Sequence, residues 1–341
     1  MKIGRYEIGP SVFFIAEIGS NHNGDFSLAK ELVVAAARSG ASAVKFQTYR
    51  AEKLVRPDVP ALAHVRAQYK TQLERFRSLE FAPAQWRELA ELARREGCEF
   101  FSSAFDEASA DMLDDFVPAY KIASGDLTNK PLIRSLVKRN KPLILSTGMA
   151  TPDEIAEAIK DIPSDRLVLL HCVSLYPTPI EKANLLSIPH LRDRFGVPIG
   201  YSDHTLGVAA CLGAVALGAL VIEKHFTLDK NQTIGDHKLS AEPSEFKRLV
   251  EEGSLVQKAL GEYGKPLSDG DARKPMRRSL VATRDLPAGT RLTMDMMIPL
   301  RPGDGIAPSR IDEVIGRVLT TGVKGGEPLR DEHLSDRAPS A

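Results

Sequence analysis

Side chains able to donate, bind or ligate recur at one place in this sequence, the closing residues of short apolar runs. FFIAEIG (13–19), AVKFQTY (43–49), EFFSSAF (99–105), AYKIAS (119–124) and PLILSTG (142–148) supply Glu17, Lys45, Gln47, Ser102, Ser103, Lys121, Ser124, Ser146 and Thr147. Asn21, His22, Asn23 and Asp126 follow just beyond two of these runs. LVLLHCV (167–173), PIGYSDH (198–204) and VIEKHFT (221–227) add His171, Ser202, His204, Glu223 and His225, with Ser174 and Tyr176 close behind. The opposite ends of the runs are mostly Pro, Ala, Glu or Arg. Such one-sided placement is expected of an enzyme whose site lies at one end of a sheet.

Strand alternation sorts these residues by face, because i and i+2 point the same way. Lys45 and Gln47 share a face, as do Ser202 and His204, and Glu223 and His225. Asp203 points away from Ser202 and His204, toward a helix layer, where it has a structural hydrogen-bonding role. A Ser-Asp-His triad is therefore ruled out at 202–204, and the GxSxG elbow is missing, since 200–204 reads Gly-Tyr-Ser-Asp-His. His204 and His225 end consecutive strands that lie roughly 5 Å apart. Two inward imidazoles could share one divalent ion, with Mn, Fe, Co or Zn acting as a Lewis acid, and Glu17, Glu223 and Asp236 near it. Alternatively, each His caps its own strand. Lys45 and Lys121, with Ser102, Ser103, Ser124, Ser146, Thr147 and Ser202, resemble an oxyanion-binding set for a phosphate and a carboxylate. A Schiff-base lysine is the rival reading, and the abundance of serine favours the phosphate.

The elements that position these groups follow from periodicity. The eight runs alternate with amphipathic helices such as FSLAKELVVAAARSG and APAQWRELAELARREG, which end at Gly40 and Gly97. TPDEIAEAIKD carries Thr151 as N-cap and Pro152 at the first helical position. Thr205 is expected to cap the helix after the seventh run. An α/β protein follows, a (β/α)8 barrel over 1–265. A nucleotide-binding doubly wound sheet is excluded, because neither GxGxxG nor a P-loop occurs. Residues 50–81 exceed an ordinary βα loop, and long loops on that face often cover substrate. Residues 266–278 read as a linker, and 279–341 as a small β-rich domain broken by Pro-Ala-Gly and Pro-Gly-Asp-Gly turns.

The totals agree with an ordinary folded enzyme. Of 341 residues, 43% are hydrophobic and 26% charged, and 45 Lys plus Arg balance 45 Asp plus Glu. No basic excess points to nucleic acid or to a membrane surface. Cys98, Cys172 and Cys211 are scattered, which fits reduced thiols in a cytoplasmic protein. The first residues lack the basic and apolar regions of a signal peptide. LGVAACLGAVALGALVI (206–222) is interrupted by Gly213 and Gly218 and reads as helix, turn and strand, not a membrane span.

The stretches FFIAEIGSNHNGD, AVKFQTY, YKIASGDLTNKPLI, LILSTGM, LLHCVSLYPTP, IGYSDHTLG and VIEKHFTLDK resemble the sialic acid synthase family of nonulosonate synthases. The tail from Ser279 is similar to that family's antifreeze-like SAF domain. The resemblance implies a transferase that condenses phosphoenolpyruvate with an N-acylated aminohexose, such as N-acetylmannosamine, and releases phosphate by C–O cleavage. It implies a divalent metal, Mn²⁺ with Mg²⁺ or Co²⁺ as alternatives, held by His204 and His225, and Glu17 as the catalytic acid/base. Lys45, Ser103, Lys121, Ser124, Ser146, Thr147, Ser174 and Ser202 would bind phosphoenolpyruvate. Gln47, Asp126, Tyr176 and Asp236 would bind the sugar, joined by Arg301 from the partner chain of a domain-swapped homodimer. Asp126 stands where sialic acid synthases often carry Glu, and DKNQTIGDHKLSAEP departs from the Pro-Gly-rich form of N-acetylmannosamine users. Both departures bear on the sugar: a sugar phosphate, or a diacetamido sugar leading to legionaminic or pseudaminic acid, is the alternative. A non-catalytic sugar-binding barrel is a further reading.

Overall fold

The computed structural model describes residues 1–62, 65–266 and 270–335. Part of the expected linker, 267–269, and the last stretch of the expected second domain, 336–341, lie outside the described residues. The chain divides into two compact units, Met1–Gly261 and Glu262–Ala341.

In the first unit eight parallel strands close into a barrel. They are β1 (Phe13–Gly19), β2 (Ala43–Thr48), β3 (Glu99–Ala104), β4 (Tyr120–Ile122), β5 (Leu143–Ser146), β6 (Leu167–Cys172), β7 (Ile199–Asp203) and β8 (Val221–His225). Closure comes from β8 pairing with β1, which sets His225 opposite Glu17. Strands covered on both faces read as unbroken apolar runs, and every residue of β1, β6, β7 and β8 is buried. Helices α1 (Phe26–Arg38), α2 (Pro83–Arg95), α3 (Glu107–Leu113), α4 (Lys130–Val137), α5 (Pro152–Ile159), α6 (Ser187–Phe195), α7 (Ala209–Ala216) and α8 (Pro243–Leu260) alternate with the strands. The outward faces of the strands meet these helices through aromatic contacts such as Phe46 on Trp86, at 5.6 Å between ring centroids. At the opposite end from the site, Phe13 stacks on Phe101 at 6.4 Å and on the edge of Tyr6 at 5.3 Å. Tyr6 belongs to a short hairpin, Lys2–Ile3 with Tyr6–Glu7.

Local chemistry explains most of the boundaries. Thr151 caps α5 in a reciprocal capping box with Glu154, and Pro152 occupies the first turn. Gly40 and Gly97 follow α1 and α2 with positive φ. The expected cap at Thr205 is overturned: α7 begins at Ala209 after Val208, with no side-chain cap. Thr205 is buried and bridges to Thr178, because the Asp203 carboxylate accepts its N–H at 2.8 Å and holds it in the strand extension. Between β2 and α2 lie two short helices, Ala51–Leu54 and Gln72–Arg77, the second opened by a Thr71–Glu74 capping box.

One glycine is fixed by close approach. A Cβ on Gly200 would lie 2.4 Å from the Val221 carbonyl oxygen and 2.5 Å from Leu170 Cδ2. Gly200→Ala is therefore expected to cost about 1–3 kcal/mol by overpacking between β6 and β8. Chemical denaturation should show this as a lower midpoint with an unchanged slope.

In the second unit the core gathers Leu280, Leu292, Val314, Leu319 and Leu329. Strands β9 (Ser279–Ala282) and β10 (Met297–Leu300) pair antiparallel, and single bridges such as Leu286 with Val323 extend the β structure. Among the described residues no helix is long and apolar enough to cross a membrane.

Candidate active site

At the carboxyl ends of the barrel strands a cavity of about 360 Å³ opens. Its walls contain Glu17, Lys45, Gln47, Ser103, Lys121, Ser124, Ser146, Ser174, Tyr176, Ser202, His204, Glu223 and His225. Alternation puts them there: successive inward positions on β2 are Lys45 and Gln47, and on β8 Glu223 and His225. A larger groove of about 780 Å³ lies outside the barrel against α1 and α8, but its walls hold no convergent set of reactive groups.

Two lysines and two carboxylates are buried together on the floor. Lys45 Nζ lies 2.7 Å from Glu17 Oε2 and 3.7 Å from Glu223 Oε2, and it donates to Ser103 Oγ at 3.4 Å. Lys121 Nζ donates to Ser146 Oγ at 2.6 Å and to the Ile122 carbonyl at 3.0 Å, and stands 4.0 Å from Glu223 Oε1. Ser202 Oγ donates to Glu223 Oε1 at 2.8 Å. Burial raises the Glu17 carboxyl to about 7, because its effect and that of Glu223 outweigh Lys45 and the Gln47 hydrogen bond. Glu223 feels the same burial, but Lys121, Lys45 and Ser202 overcome it and hold its carboxyl below the ordinary range. Burial also lowers Lys121, whereas for Lys45 the two carboxylates prevail over burial and raise it. One carboxyl is thus poised near neutrality beside another that stays ionised, the pattern of an acid/base site.

His204 and His225 face each other with ring centroids 5.3 Å apart. The Tyr176 ring lies 4.0 Å from the first and stands edge-on to the second. Burial keeps both imidazoles neutral, His225 strongly so, which is the form that ligates metals. His204 Nδ1 donates to the Val173 carbonyl at 2.8 Å, leaving the Nε2 lone pair available. His225 Nδ1 is buried without a hydrogen-bond partner and lies 3.7 Å from Asp236 Oδ2. Two neutral imidazoles with lone pairs to offer fit a divalent cation completed by other ligands. No group of three His, Cys, Asp or Glu side chains converges for a metal among the described residues.

Ser102, Thr147, Asp126 and Asp236, all sequence-derived candidates, lie outside this cavity; Ser102 Oγ shares a 2.8 Å hydrogen bond with Thr48 Oγ1 instead. Thr147 is buried, but its Oγ1 donates to the Leu170 carbonyl at 3.0 Å, so its hydroxyl faces strand β6. Asp126 ends a short 3₁₀ turn after β4 and accepts from Asn129 Nδ2 at 3.2 Å. Asp236 lines a neighbouring cavity beside Gln47. Arg301 follows β10 in the second unit, where it is exposed. Asp203, as expected, faces outward and forms a 2.7 Å ion pair with Lys224. His22 and His171 are structural: burial pushes His22 down to about 3 as it packs on Phe81, and His171 bonds to the Ala183 carbonyl.

Three residues have roles that the sequence reading did not give them, Glu223 having been placed only near the histidine pair. Glu223 links both lysines to Ser202, and its i, i+2 spacing to His225 was the available signal. Gly148 matters because a Cβ there would sit 2.3 Å from Ser174 Oγ and 2.8 Å from Ser124 Oγ. Asn21 ties the loop after β8 to β1, donating to the Phe226 carbonyl and Ser240 Oγ, both at 2.9 Å, and accepting the Asp236 N–H at 2.9 Å. No local pattern announces the last two, because their partners lie far away in sequence.

A closed parallel barrel whose strand ends converge on buried lysines, carboxylates and two histidines defines an α/β-barrel enzyme. The comparisons specify which: the chain belongs to the NeuB family, matched over residues 32–265, and carries a SAF domain over 277–335. It is 43% identical to the N,N'-diacetyllegionaminic acid synthase of Legionella pneumophila over 94% of each chain. It is 40% identical to the Campylobacter jejuni enzyme of that name, over 93% of this chain and 98% of the relative. The crystal structure of the N-acetylneuraminic acid (sialic acid) synthetase of Leptospira borgpetersenii, in complex with citrate, superposes with a TM-score of 0.73. It is 35% identical and covers 80% of this chain and 94% of that one.

Proposed function

We propose that this nonulosonic acid synthase condenses phosphoenolpyruvate with the open-chain aldehyde of an N-acylated aminohexose, releasing inorganic phosphate. The observation that carries the reading is the pairing of Lys45 and Lys121, among five serines, with the histidine pair at the same cavity mouth. A small dianionic substrate suits the lysine and serine floor, and a neutral polyol suits Gln47, Tyr176 and Asp236 nearer the rim. The names of the legionaminic acid synthases above favour a diacetamido sugar over N-acetylmannosamine.

In this reading His204 and His225 hold a divalent cation, Mn²⁺ first, which when bound supplies Lewis acidity toward the sugar aldehyde. Lys45, Lys121, Ser103, Ser124, Ser146, Ser174 and Ser202 grip the phosphate and carboxylate of phosphoenolpyruvate. Its carbon 3 forms the new bond to the aldehyde carbon, and the former aldehyde oxygen takes up a proton. Water adds at carbon 2, and the bond from carbon 2 to the phosphate oxygen then breaks, so the phosphate leaves with that oxygen. Glu17, with its carboxyl near 7, carries the proton taken from the water, and Glu223 keeps both lysines charged. Arg301 of a second copy completes the sugar site in a domain-swapped dimer.

The test is a panel: phosphate release from phosphoenolpyruvate with Mn²⁺ and, in turn, N-acetylmannosamine, its 6-phosphate and a diacetamido sugar. Turnover with at least one sugar, abolished by chelator and restored by Mn²⁺, is expected. Full turnover in chelator-treated protein would remove the metal from the reading. A borohydride-trapped adduct on Lys121 would replace it with an imine mechanism.

A further inference from the structure

The turn after β1 carries Asn21, His22 and Asn23, none of which the proposed reaction uses. Asn21 is fully buried, and its N–H closes the turn onto the Ile18 carbonyl at 2.9 Å, one residue past Glu17. A buried primary amide is costly unless its two hydrogens and its oxygen find partners. All of them go to the loop between β8 and α8. That loop leaves the barrel at Phe226 and returns at Ala241, which bridges to Phe226. Asn21 Nδ2 donates to the Phe226 carbonyl and to Ser240 Oγ, and its Oδ1 accepts the Asp236 N–H, each at 2.9 Å. Ser240, also buried, donates its hydroxyl to the Asp236 carbonyl at 2.7 Å. One pair of buried side chains thus holds both backbone polar groups of Asp236. The residue before it leaves no slack: Gly235 has a φ of +105°, and a Cβ there would lie 3.0 Å from Asn21 Oδ1. After it, buried His237 shares a 2.7 Å hydrogen bond with Thr227 Oγ1.

We propose that Asn21 and Ser240 are positioning residues, which fix the backbone of Asp236 and so hold its carboxylate beside His225. Asp236 Oδ2 stands 3.7 Å from His225 Nδ1 in this arrangement. The clasp is not what closes the loop. Its ends are already joined by backbone bonds, from the Ala241 N–H to the His225 carbonyl at 2.7 Å and from the Thr227 N–H to the Ala241 carbonyl at 3.0 Å. What those bonds leave free is the interior of the loop, where ordering each residue costs about 1–2 kcal/mol of conformational entropy. Asn21 and Ser240 act at the one interior residue whose carboxylate reaches the histidine pair. Having that residue ordered before the sugar arrives removes the cost from binding. The inference rests on the proposed synthase reading for what Asp236 meets, and on the hydrogen bonds for what holds it.

Phosphate-release kinetics on the full chain with Mn²⁺, using the sugar of the panel that turns over best, test this. Asn21→Ala should raise KM for the sugar by about 10- to 30-fold, more than it lowers kcat. KM for phosphoenolpyruvate should stay within about twofold, because the lysine and serine floor takes no bond from the clasp. Ser240→Ala keeps the Asn21 bond to the Asp236 N–H, so it should shift the sugar KM in the same direction by less. It carries the comparison if Asn21→Ala fails to fold. Added to Asp236→Ala, Asn21→Ala should cause no further loss toward the sugar, since the group it positions is already gone. An equal rise in both KM values would overturn the positioning role, and so would additive losses in the double variant. No phosphate release from any sugar by the unaltered protein would remove the synthase reading instead. Amide hydrogen exchange at Asp236 then judges the clasp: it should be about tenfold faster in Asn21→Ala, and an unchanged rate would overturn the proposal.

Discussion

Lys121→Met is expected to lower kcat/KM for phosphoenolpyruvate by about a hundredfold or more while leaving the melting temperature unchanged or slightly higher. The two effects have one cause. Lys121 is fully buried, and burial outweighs the attraction of Glu223 at 4.0 Å, so its ammonium sits below the ordinary lysine range. A lysine whose folded value is depressed opposes folding while it is charged, and that cost fades only as pH rises toward its ordinary value. Methionine keeps the stem and removes the buried charge; the relief offsets the loss of the bonds to Ser146 and the Ile122 carbonyl, and Lys45 and Ser202 remain to hold Glu223. The bound anion loses a desolvated charge partner, a loss of about 2–5 kcal/mol. Phosphate-release kinetics and a thermal melt on the same preparation check both halves. Undiminished activity would take Lys121 out of the anion site, and a large fall in melting temperature would make its role structural.

Asp203→Ala should produce the opposite signature, a loss of stability first. Its carboxylate is fully buried and holds Lys224 at 2.7 Å, with further bonds from Tyr201 Oη at 3.0 Å and the Thr205 N–H at 2.8 Å. Removing it strands a buried ammonium, which costs about 3–5 kcal/mol. At roughly 2–4 °C per kcal/mol for a barrel-sized domain, the melting temperature should fall by about 10 °C. The double variant Asp203→Leu with Lys224→Met should regain most of the loss, because neither charge is then left unpaired. A melting temperature within two or so degrees of the starting protein, or a double variant no better than the single, would show that the pair does not hold the end of β7. Since His204 follows Asp203 directly, the single variant is also expected to weaken turnover.

Much of this was legible without coordinates. Alternation alone put Lys45 with Gln47 and Glu223 with His225, and turned Asp203 away from Ser202. The apolar runs located all eight barrel strands within a few residues, because a strand covered on both faces has no polar interior to blur its ends. Thr147 shows the limit. A hydroxyl at a strand end is equally able to face the cavity or bond the next strand's backbone, and only the Leu170 carbonyl at 3.0 Å decides. Thr205 shows it again, since a cap and an extended bridge residue read alike until the Asp203 carboxylate is placed.

What the sequence determined by itself was the chemical inventory and the end of each strand that bears it, since period and polarity are local properties of the chain. The tertiary structure decided the pairings. Closing the barrel sets His225 opposite Glu17, gives Glu223 two lysines to hold, and splits the two glutamates into one poised near 7 and one kept ionised. It also brings the short helix Gln72–Arg77 beside Gln47, so that Arg75 and Gln47 line one cavity that no local motif announces. These are consequences of distance and burial between segments far apart in the chain, and electrostatics in a buried site depends on both.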